Sequence, residues 1–240
     1  MNTVHFDTLT AKQMDIFFAL CYKLQDQGGR QVQISFNEVK KLSDWDMTQS
    51  NEKFVAMVND MVDKVMKLQI TRRETAHTKQ YTDRFTIFPT SRVDLETKTI
   101  TLRVNNDLVT LFNLMFESFT TFMLEDLNSI STTYGKELFR QLKQFRMQGK
   151  RYLTIEELQD CLSLPKSYVK HKAEIKRRVL TTKTCSQLRK VLPGFRYRTT
   201  RNKRKNNAIT GFWFFWTPEH RYEDNDKANK RFRKEYGLDD

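Results

Sequence analysis

The chain is poor in cysteine and has no long apolar run. Cys21, Cys161 and Cys185 are the only cysteines among 240 residues. Because they are widely spaced and odd in number, they suit reduced packing residues better than disulfides or a metal site. No apolar stretch approaches the ~20 residues that span a bilayer. The first residues also lack the regions of a secretory signal, so we expect a cytoplasmic protein with no membrane partner.

Sequence signals of enzymes are equally scarce. The chain contains no glycine-rich phosphate loop, no paired-cysteine zinc pattern and no His-x-His cluster, and its four histidines are dispersed. The acid pairs Glu125-Asp126 and Glu156-Glu157 stand at predicted helix starts, where the helix dipole accounts for them. We therefore expect no catalytic residue, no metal site and no cofactor.

Positive charge is concentrated in one segment. Residues 166–205 contain fifteen lysines and arginines and a single acid, Glu174. Residues 1–130 hold 15 basic and 17 acidic side chains, whereas residues 131–240 hold 27 and 12. Such a focused charge is typical of a nucleic-acid surface and should give the second half most of the affinity for a phosphate backbone. The alternative, a merely solvated basic face, stays open.

Helical and strand patterns alternate through the first half of the chain. The capping-box pattern Thr10-Ala-Lys-Gln13 predicts a helix that ends before Gly28-Gly29. In chain order, the elements predicted to follow are a strand at Val32–Phe36, a helix capped by Asn37, a helix over Phe54–Leu68, strands at Phe85–Phe88 and Thr99–Val104, a helix capped by Asn105 or Asn106, and extended chain at Phe119–Met123.

A similar order returns in the second half. The predicted elements are a helix from about Tyr134 to Gly149, a strand at Arg151–Leu153, a helix opened by the capping box Thr154–Glu157, a basic helix from Ser167 to about Val179 or beyond, and strands at Phe195–Thr200 and Ile209–Thr217 around the tip Arg201–Asn207.

Helix, strand, two helices and a β-hairpin is the element order of a winged helix. The chain is therefore predicted to be an α+β protein with two tandem winged-helix (helix-turn-helix) domains. We expect the first over residues 1–125, the second over 126–220, and a charged tail over 221–240. The tail is either a short docking helix or partly disordered. No Pro/Gly/Ser-rich linker separates the two domains, which predicts a semi-rigid pair.

The predicted basic helix is the first candidate DNA contact. A helix-turn-helix protein reads base edges with the N-terminal residues of its recognition helix, and backbone N–H groups there can also bind phosphate. Arg177 and Arg178 could instead hold the DNA backbone or pair with Glu174. The candidates on this helix are Lys166, Ser167, Lys170, His171, Lys172, Lys176, Arg177 and Arg178.

The predicted wing is the second candidate. Arg196 and Arg198 share one strand face, opposite Phe195 and Tyr197. The charged tip can follow phosphates or enter a minor groove, and phosphate contact without base reading is the expected role for most of its cations. The candidates on the wing are Arg196, Arg198, Arg201, Lys203, Arg204 and Lys205.

Five consecutive aromatic residues, Phe212–Trp216, allow two interpretations. They could stack unpaired bases, as in proteins that bind single strands. They could also form a strand with one side buried on the helices and the other covering the final segment. We favour core packing.

Five stretches together form a more specific combination of motifs. They are Leu9–Cys21, Tyr134–Arg146, Gly149–Leu158, Leu164–Tyr168 and Ile175–Leu180. In order and spacing the last four resemble the second winged helix of theta-type, iteron-binding plasmid replication initiators. The first resembles the opening helix of the branch found on plasmids of Gram-positive bacteria. One departure is Thr181–Ser186, which stands where the family often has a Pro-containing helix, so the end of the basic helix stays open.

The resemblance implies a plasmid replication initiator that binds direct repeats in double-stranded origin DNA and also represses its own gene. It implies a first module for dimerisation and a second DNA contact, with monomers on the repeats and dimers on the operator. It further implies opening of A·T-rich DNA without nucleotide hydrolysis, and recruitment of the host initiator and replicative helicase.

Two other functions remain as alternatives. One is a winged-helix transcriptional repressor with no part in replication, which would protect a lone inverted repeat. The other is a rolling-circle relaxase, which would nick supercoiled origin DNA in the presence of Mg²⁺ or Mn²⁺.

Overall fold

A computed structural model describes residues 8–67, 69–76, 79–116, 121–202 and 207–219. The chain forms two compact units, Met1–Ser129 and Ile130–Asp240. In chain order, the elements of the first unit are α1 Ala11–Leu24, β1 Val32–Ser35, α2 Phe36–Leu42, α3 Asn51–Lys67, β2 Gln69–Ala76, β3 Lys79–Thr86, β4 Thr90–Asp94, β5 Thr99–Arg103, α4 Val109–Phe116 and α5 Thr121–Asn128. The elements of the second unit are α6 Thr133–Lys143, β6 Lys150–Thr154, α7 Ile155–Leu162, α8 Lys166–Lys170, α9 Thr182–Val191, β7 Arg196–Asn202 and β8 Ala208–Phe215.

The first unit is built around α1. The Thr10 hydroxyl oxygen accepts a hydrogen bond from the Gln13 backbone N–H while the Gln13 side chain accepts one from the Thr10 N–H, which completes the predicted capping box. Most of α1 is buried, including Phe17 and Phe18. A helix that is apolar on nearly all sides belongs in a core. Helices α2, α3 and α5 pack against it.

The strands of the first unit form two antiparallel groups. Strand β5 is central in a three-stranded sheet of order β1-β5-β4, and β2 pairs with β3 in a separate hairpin. Buried Ile34, Ile100 and Leu102 connect the three-stranded sheet to the core. Helix α3 therefore runs directly before a β-hairpin, as the recognition helix of a winged helix does.

The structure corrects several element predictions in this unit. Ser35, rather than Asn37, caps α2 through a capping box with Glu38. The extended chain predicted for Phe119–Met123 is wrong from Thr121 onward, because α5 begins there, whereas residues 119 and 120 lie outside the described residues. Met123, Leu124 and Leu127 of α5 are buried. Burial against α1 outweighs the strand preference of Thr and Phe there. Strands β2 and β4 went unpredicted because polar residues in their sequences dilute the alternation of apolar and polar positions.

Glu38 is expected to give the first unit a pH-dependent stability. Hydrogen bonds from Lys23 and Ser35 lower the pKa of its carboxyl from 4.5 to about 2. The stabilisation is therefore complete above about pH 4.5 and is lost as the pH falls through about 2. Glu38→Gln should lower the urea midpoint at neutral pH, and the difference from wild type should shrink in acid. The same substitution at exposed Glu96 is the control; a Glu38→Gln deficit that is constant with pH would contradict the assignment.

Candidate nucleic-acid interface

The second unit places a helical layer beside a three-stranded sheet of order β6-β8-β7. Helix α7 begins at the predicted capping box, in which the Thr154 hydroxyl oxygen accepts from the Glu157 N–H and the Glu157 carboxylate accepts from the Thr154 N–H. Its last turn ends at Ser163 in a left-handed conformation, φ 49°. Pro165 then precedes α8. This short connection turns the chain toward the basic segment.

The predicted continuous basic helix is broken in the structure. Helix α8 has only five residues and ends at Lys170, and the next residue, His171, leaves the helical conformation with φ −109° and ψ 71°. A π-helical turn follows at Ile175–Val179, whose Ile175 and Val179 are buried. Those two apolar contacts hold the turn on the core, and a straight helix from Ser167 would have carried its cations round several faces. The break divides the predicted DNA-contact residues into two groups.

Glu174 holds two of the predicted contact arginines. Its carboxylate accepts hydrogen bonds from Arg177 at 2.8 Å and from Arg178 at 3.3 Å. These hydrogen bonds, the one from Arg177 foremost, lower the pKa of Glu174. Both guanidinium groups nevertheless remain more than half exposed. They can therefore reach a phosphate, although Glu174 offsets part of their charge.

The other predicted residues of this segment differ in their surroundings. Lys166, Ser167, Lys170 and His171 are exposed at α8. Lys172 instead donates a hydrogen bond from its ammonium to the Ile209 carbonyl at 2.9 Å, which ties the segment to β8. Lys176 is half-buried. Lys172 thus has a structural partner, and the remaining side chains face solvent in part or in full.

Helix α9 is the element of the second unit that the sequence patterns did not predict. The Thr181 hydroxyl oxygen caps it by accepting from the Thr184 N–H at 3.1 Å. Thr184, Cys185, Leu188 and Val191 form its buried face. The opposite face is exposed along the whole helix and consists of Thr182, Lys183, Ser186, Arg189 and Lys190.

The position of α9 in the chain makes its exposed face a candidate DNA contact. It is the helix directly before the wing, as α3 is the helix directly before the β2-β3 hairpin in the first unit. At ten residues it is also twice as long as α8. Two signals in the sequence could have revealed it: the cap pattern Thr181–Thr184 and the apolar spacing of Cys185, Leu188 and Val191.

The wing forms where it was predicted. Strands β7 and β8 pair antiparallel, with an irregularity between Thr200 and Arg201. Arg196 and Arg198 are exposed on one face of β7, while Phe195 is buried. The Arg201 guanidinium donates a hydrogen bond to the Asn207 carbonyl at 3.0 Å, which links the end of β7 to the residue before β8. The predicted contacts Lys203, Arg204 and Lys205 lie outside the described residues.

The aromatic run of β8 divides between two faces of the sheet. Phe212, Phe214 and Trp216 are buried, which agrees with the core-packing interpretation. Trp213 is 36% exposed, and Phe215 is half-buried. The alternation of side chains along a strand explains the division. The final segment that was expected to cover the second face lies outside the described residues.

The first unit offers a less charged surface. On α3, the Lys64 ammonium pairs with the Asp60 carboxylate at 2.7 Å, and the Gln13 side chain also contacts both groups. Lys53 and Lys67 are exposed on the same helix, but Glu52 and Asp63 are exposed with them. This balance matches the nearly neutral charge of the first half.

Within the described ranges, no group of three or more His, Cys, Asp or Glu side chains is placed to hold a metal ion. The half-buried Cys161 has its thiol pKa raised, chiefly by burial. Every helix in the described part of the chain is too short or too polar to cross a membrane.

Comparison with protein families identifies relatives of this chain. The model of the family described as "Initiator Replication protein, WH1" matches residues 1–143. A probable replication protein of Bifidobacterium longum (strain NCC 2705) is 24% identical over 179 residues, which is 75% of this chain and 59% of that protein. The match therefore spans less than two thirds of the relative's length.

Solved structures share the fold at low sequence identity. The Pi initiator protein in complex with iteron DNA matches 89% of this chain and 93% of its own with a TM-score of 0.62 and 12% identity. Domains 2 and 3 of RctB match 88% and 84% with a TM-score of 0.53 and 12% identity. These similarities confirm the predicted fold class of tandem winged helices. The individual DNA-contact residues stay predictions.

Proposed function

Because the chain belongs to the initiator replication protein family, we propose that it initiates plasmid replication by binding direct repeats in duplex origin DNA. One observation carries the proposal: α9, directly before the wing, exposes Lys183, Arg189 and Lys190 on a single face. A helix with that placement fits a major groove, and its cations match the phosphates on either side. The structurally similar Pi initiator was solved in complex with iteron DNA, which supports repeat binding by this fold.

The second unit divides its labour between base edges and phosphates in this proposal. The N-terminal half of α9, with Lys183 and Ser186, reads bases. Phosphate contacts fix the register of the protein on the duplex without reading sequence. The residues proposed for phosphate contact are Lys166, Ser167, Lys170, His171, Lys176, Arg177, Arg178, Arg196, Arg198, Arg201, Lys203, Arg204 and Lys205.

The first unit is proposed to mediate dimerisation and a second, weaker DNA contact through α3. Its cations are balanced by acids, so it adds little to the electrostatic affinity. Dimers would bind an operator that represses the chain's own gene, and monomers would bind the repeats. The partners proposed for the bound state are the host initiator and the replicative helicase, in the cytoplasm where the plasmid lies.

Origin opening is proposed to draw on the energy of DNA contacts, with no catalytic step by this chain. Several bound copies bend their repeats. Flexible A·T-rich steps nearby then unstack first, because their unstacking requires the least free energy. No nucleotide hydrolysis or strand cleavage is needed. Nicking of supercoiled origin DNA by the purified protein in Mg²⁺ or Mn²⁺ would contradict this part of the proposal.

A DNase footprint across the DNA that flanks the gene tests the central claim. At near-physiological salt with competitor DNA, we expect protection of several evenly spaced direct repeats beside an A·T-rich tract. Protection of a single palindrome at the promoter would assign the chain to repression alone. Absence of discrete protection would leave only non-specific binding of a basic protein.

A further inference from the structure

The outer face of the second unit's sheet carries a strip of aromatic rings. In the strand register, Trp213 on the central strand lies between Tyr152 and Arg198, and Phe215 lies between Lys150 and Arg196. Side chains at paired positions point to the same side of a sheet. These six residues therefore share the face opposite the buried one that carries Phe212 and Phe214.

The rings on this face are ordered against one another. The Trp213 and Phe215 rings stack with centroids 6.0 Å apart and planes 20° apart, and the Tyr152 ring lies 5.2 Å from that of Trp213. Gly211 makes room for the strip, because a Cβ there would stand 2.5 Å from the Tyr152 hydroxyl oxygen. Trp213 is among the few large apolar side chains of the described residues that are exposed. A tryptophan held at the surface in this way presents a flat, preformed ring.

Positive charge surrounds the strip. The Arg196 guanidinium lies over the Phe215 ring, 5.4 Å from its centroid, and Lys150 and Arg198 are exposed beside the rings. Strands β6, β7 and β8 contain no aspartate or glutamate. Flat rings with cations at their edges fit a ligand that has aromatic faces and a polyanionic backbone.

We propose that this face binds single-stranded DNA, with a base stacked on Trp213 and phosphates at Arg198, Arg196 and Lys150. Duplex DNA cannot use the rings, because its bases already stack on each other. A protein partner would require a wider apolar surface than one exposed indole with a partly covered neighbour. The inference goes beyond duplex recognition, although it shares Arg196 and Arg198 with the phosphate contacts proposed for the wing.

The test is binding of the full-length chain to a fluorescently labelled oligo(dT) of about 15 nucleotides, with a duplex of equal length in parallel. Trp213→Ala removes the ring on which a base would stack. The variant should therefore bind oligo(dT) about 5- to 150-fold more weakly than wild type. Trp213→Phe should restore most of the affinity because it keeps an aromatic face. Duplex binding should stay within about twofold for both variants, since neither changes a charge.

Tryptophan fluorescence provides a second readout that does not depend on the alanine variant folding. Stacking of a base on Trp213 should quench part of the wild-type emission, and Trp213→Phe should remove that quenching while it still binds oligo(dT). Equal oligo(dT) affinity of wild type and Trp213→Ala would overturn the proposal, as would unchanged quenching in Trp213→Phe. Binding of oligo(rU) at least tenfold tighter than oligo(dT) would assign the face to RNA and also overturn it. The repeat footprint is unaffected by these outcomes, so the two proposals fail separately.

Discussion

Replacing Lys183, Arg189 and Lys190 together by alanine is expected to reduce the affinity for cognate repeats by about a thousandfold. All three are exposed on α9, opposite its buried face. If each contact contributes about 1.4 kcal/mol, their sum corresponds to that factor. Loss of three phosphate or base-edge contacts should also reduce the salt dependence, the slope of log K against log salt, by roughly 2 to 3.

The matched control removes the same charge elsewhere. Arg30, Lys41 and Lys98 are exposed cations of the first unit outside α3. Their joint replacement by alanine should change cognate affinity by less than about tenfold, through the long-range field alone. Titrations at several salt concentrations compare the two triple variants on cognate and random duplex. Similar losses in both variants would contradict α9 as the recognition helix and leave net charge as the explanation.

Phe214→Ala is expected to destabilise the second unit by about 3–5 kcal/mol. The Phe214 side chain is fully buried at the centre of the sheet. It stacks with Phe195 at 6.3 Å and with Phe212 at 6.4 Å, so truncation leaves a cavity lined by two other rings. Because whole domains are stable by only about 5–15 kcal/mol, the loss is a large part of the total. Urea unfolding followed by far-UV circular dichroism measures it.

The neighbouring residue provides the comparison for that variant. Phe215 follows Phe214 directly but lies half-buried on the outer face. Phe215→Ala removes the same number of atoms from a site that solvent already reaches, so its midpoint should fall by less than half as much. Equal losses for the two variants would show that both faces of β8 are buried to the same degree and would contradict the exposed aromatic strip.

Local signals in the sequence predicted much of the fold. The capping boxes at Thr10 and Thr154 require only residues three apart, and the helices they open follow directly. Asn105 was one of two candidate caps, and its side chain caps the short 3-10 turn Asn106–Leu108 that leads into α4. Family resemblance and element order together led to the tandem winged helices that the structural neighbours confirm. These features depend on short stretches of chain, which is why they can be recognised without a structure.

The extent of the basic helix could not be predicted as well. The density of lysine and arginine drew attention to Lys166–Arg178, yet the structure divides that segment into α8 and a π-helical turn. Our proposal that α9 rather than α8 contacts the bases depends on which helix adjoins the wing and which residues are buried. Both are properties of the packed unit, and charge counting along the chain cannot supply them.

The segregation of charge, the alternation of helices and strands, and the family of this protein can all be read from the amino-acid sequence. These are properties of composition, of periodicity and of motifs a few residues long. Only the packed structure shows which aromatic residues of β8 face outward and that Lys172 bonds to Ile209. The physical reason is that strand register and the packing of helices on a sheet select the partner of each side chain. For residues such as Lys172 and Ile209, that partner lies far away along the chain.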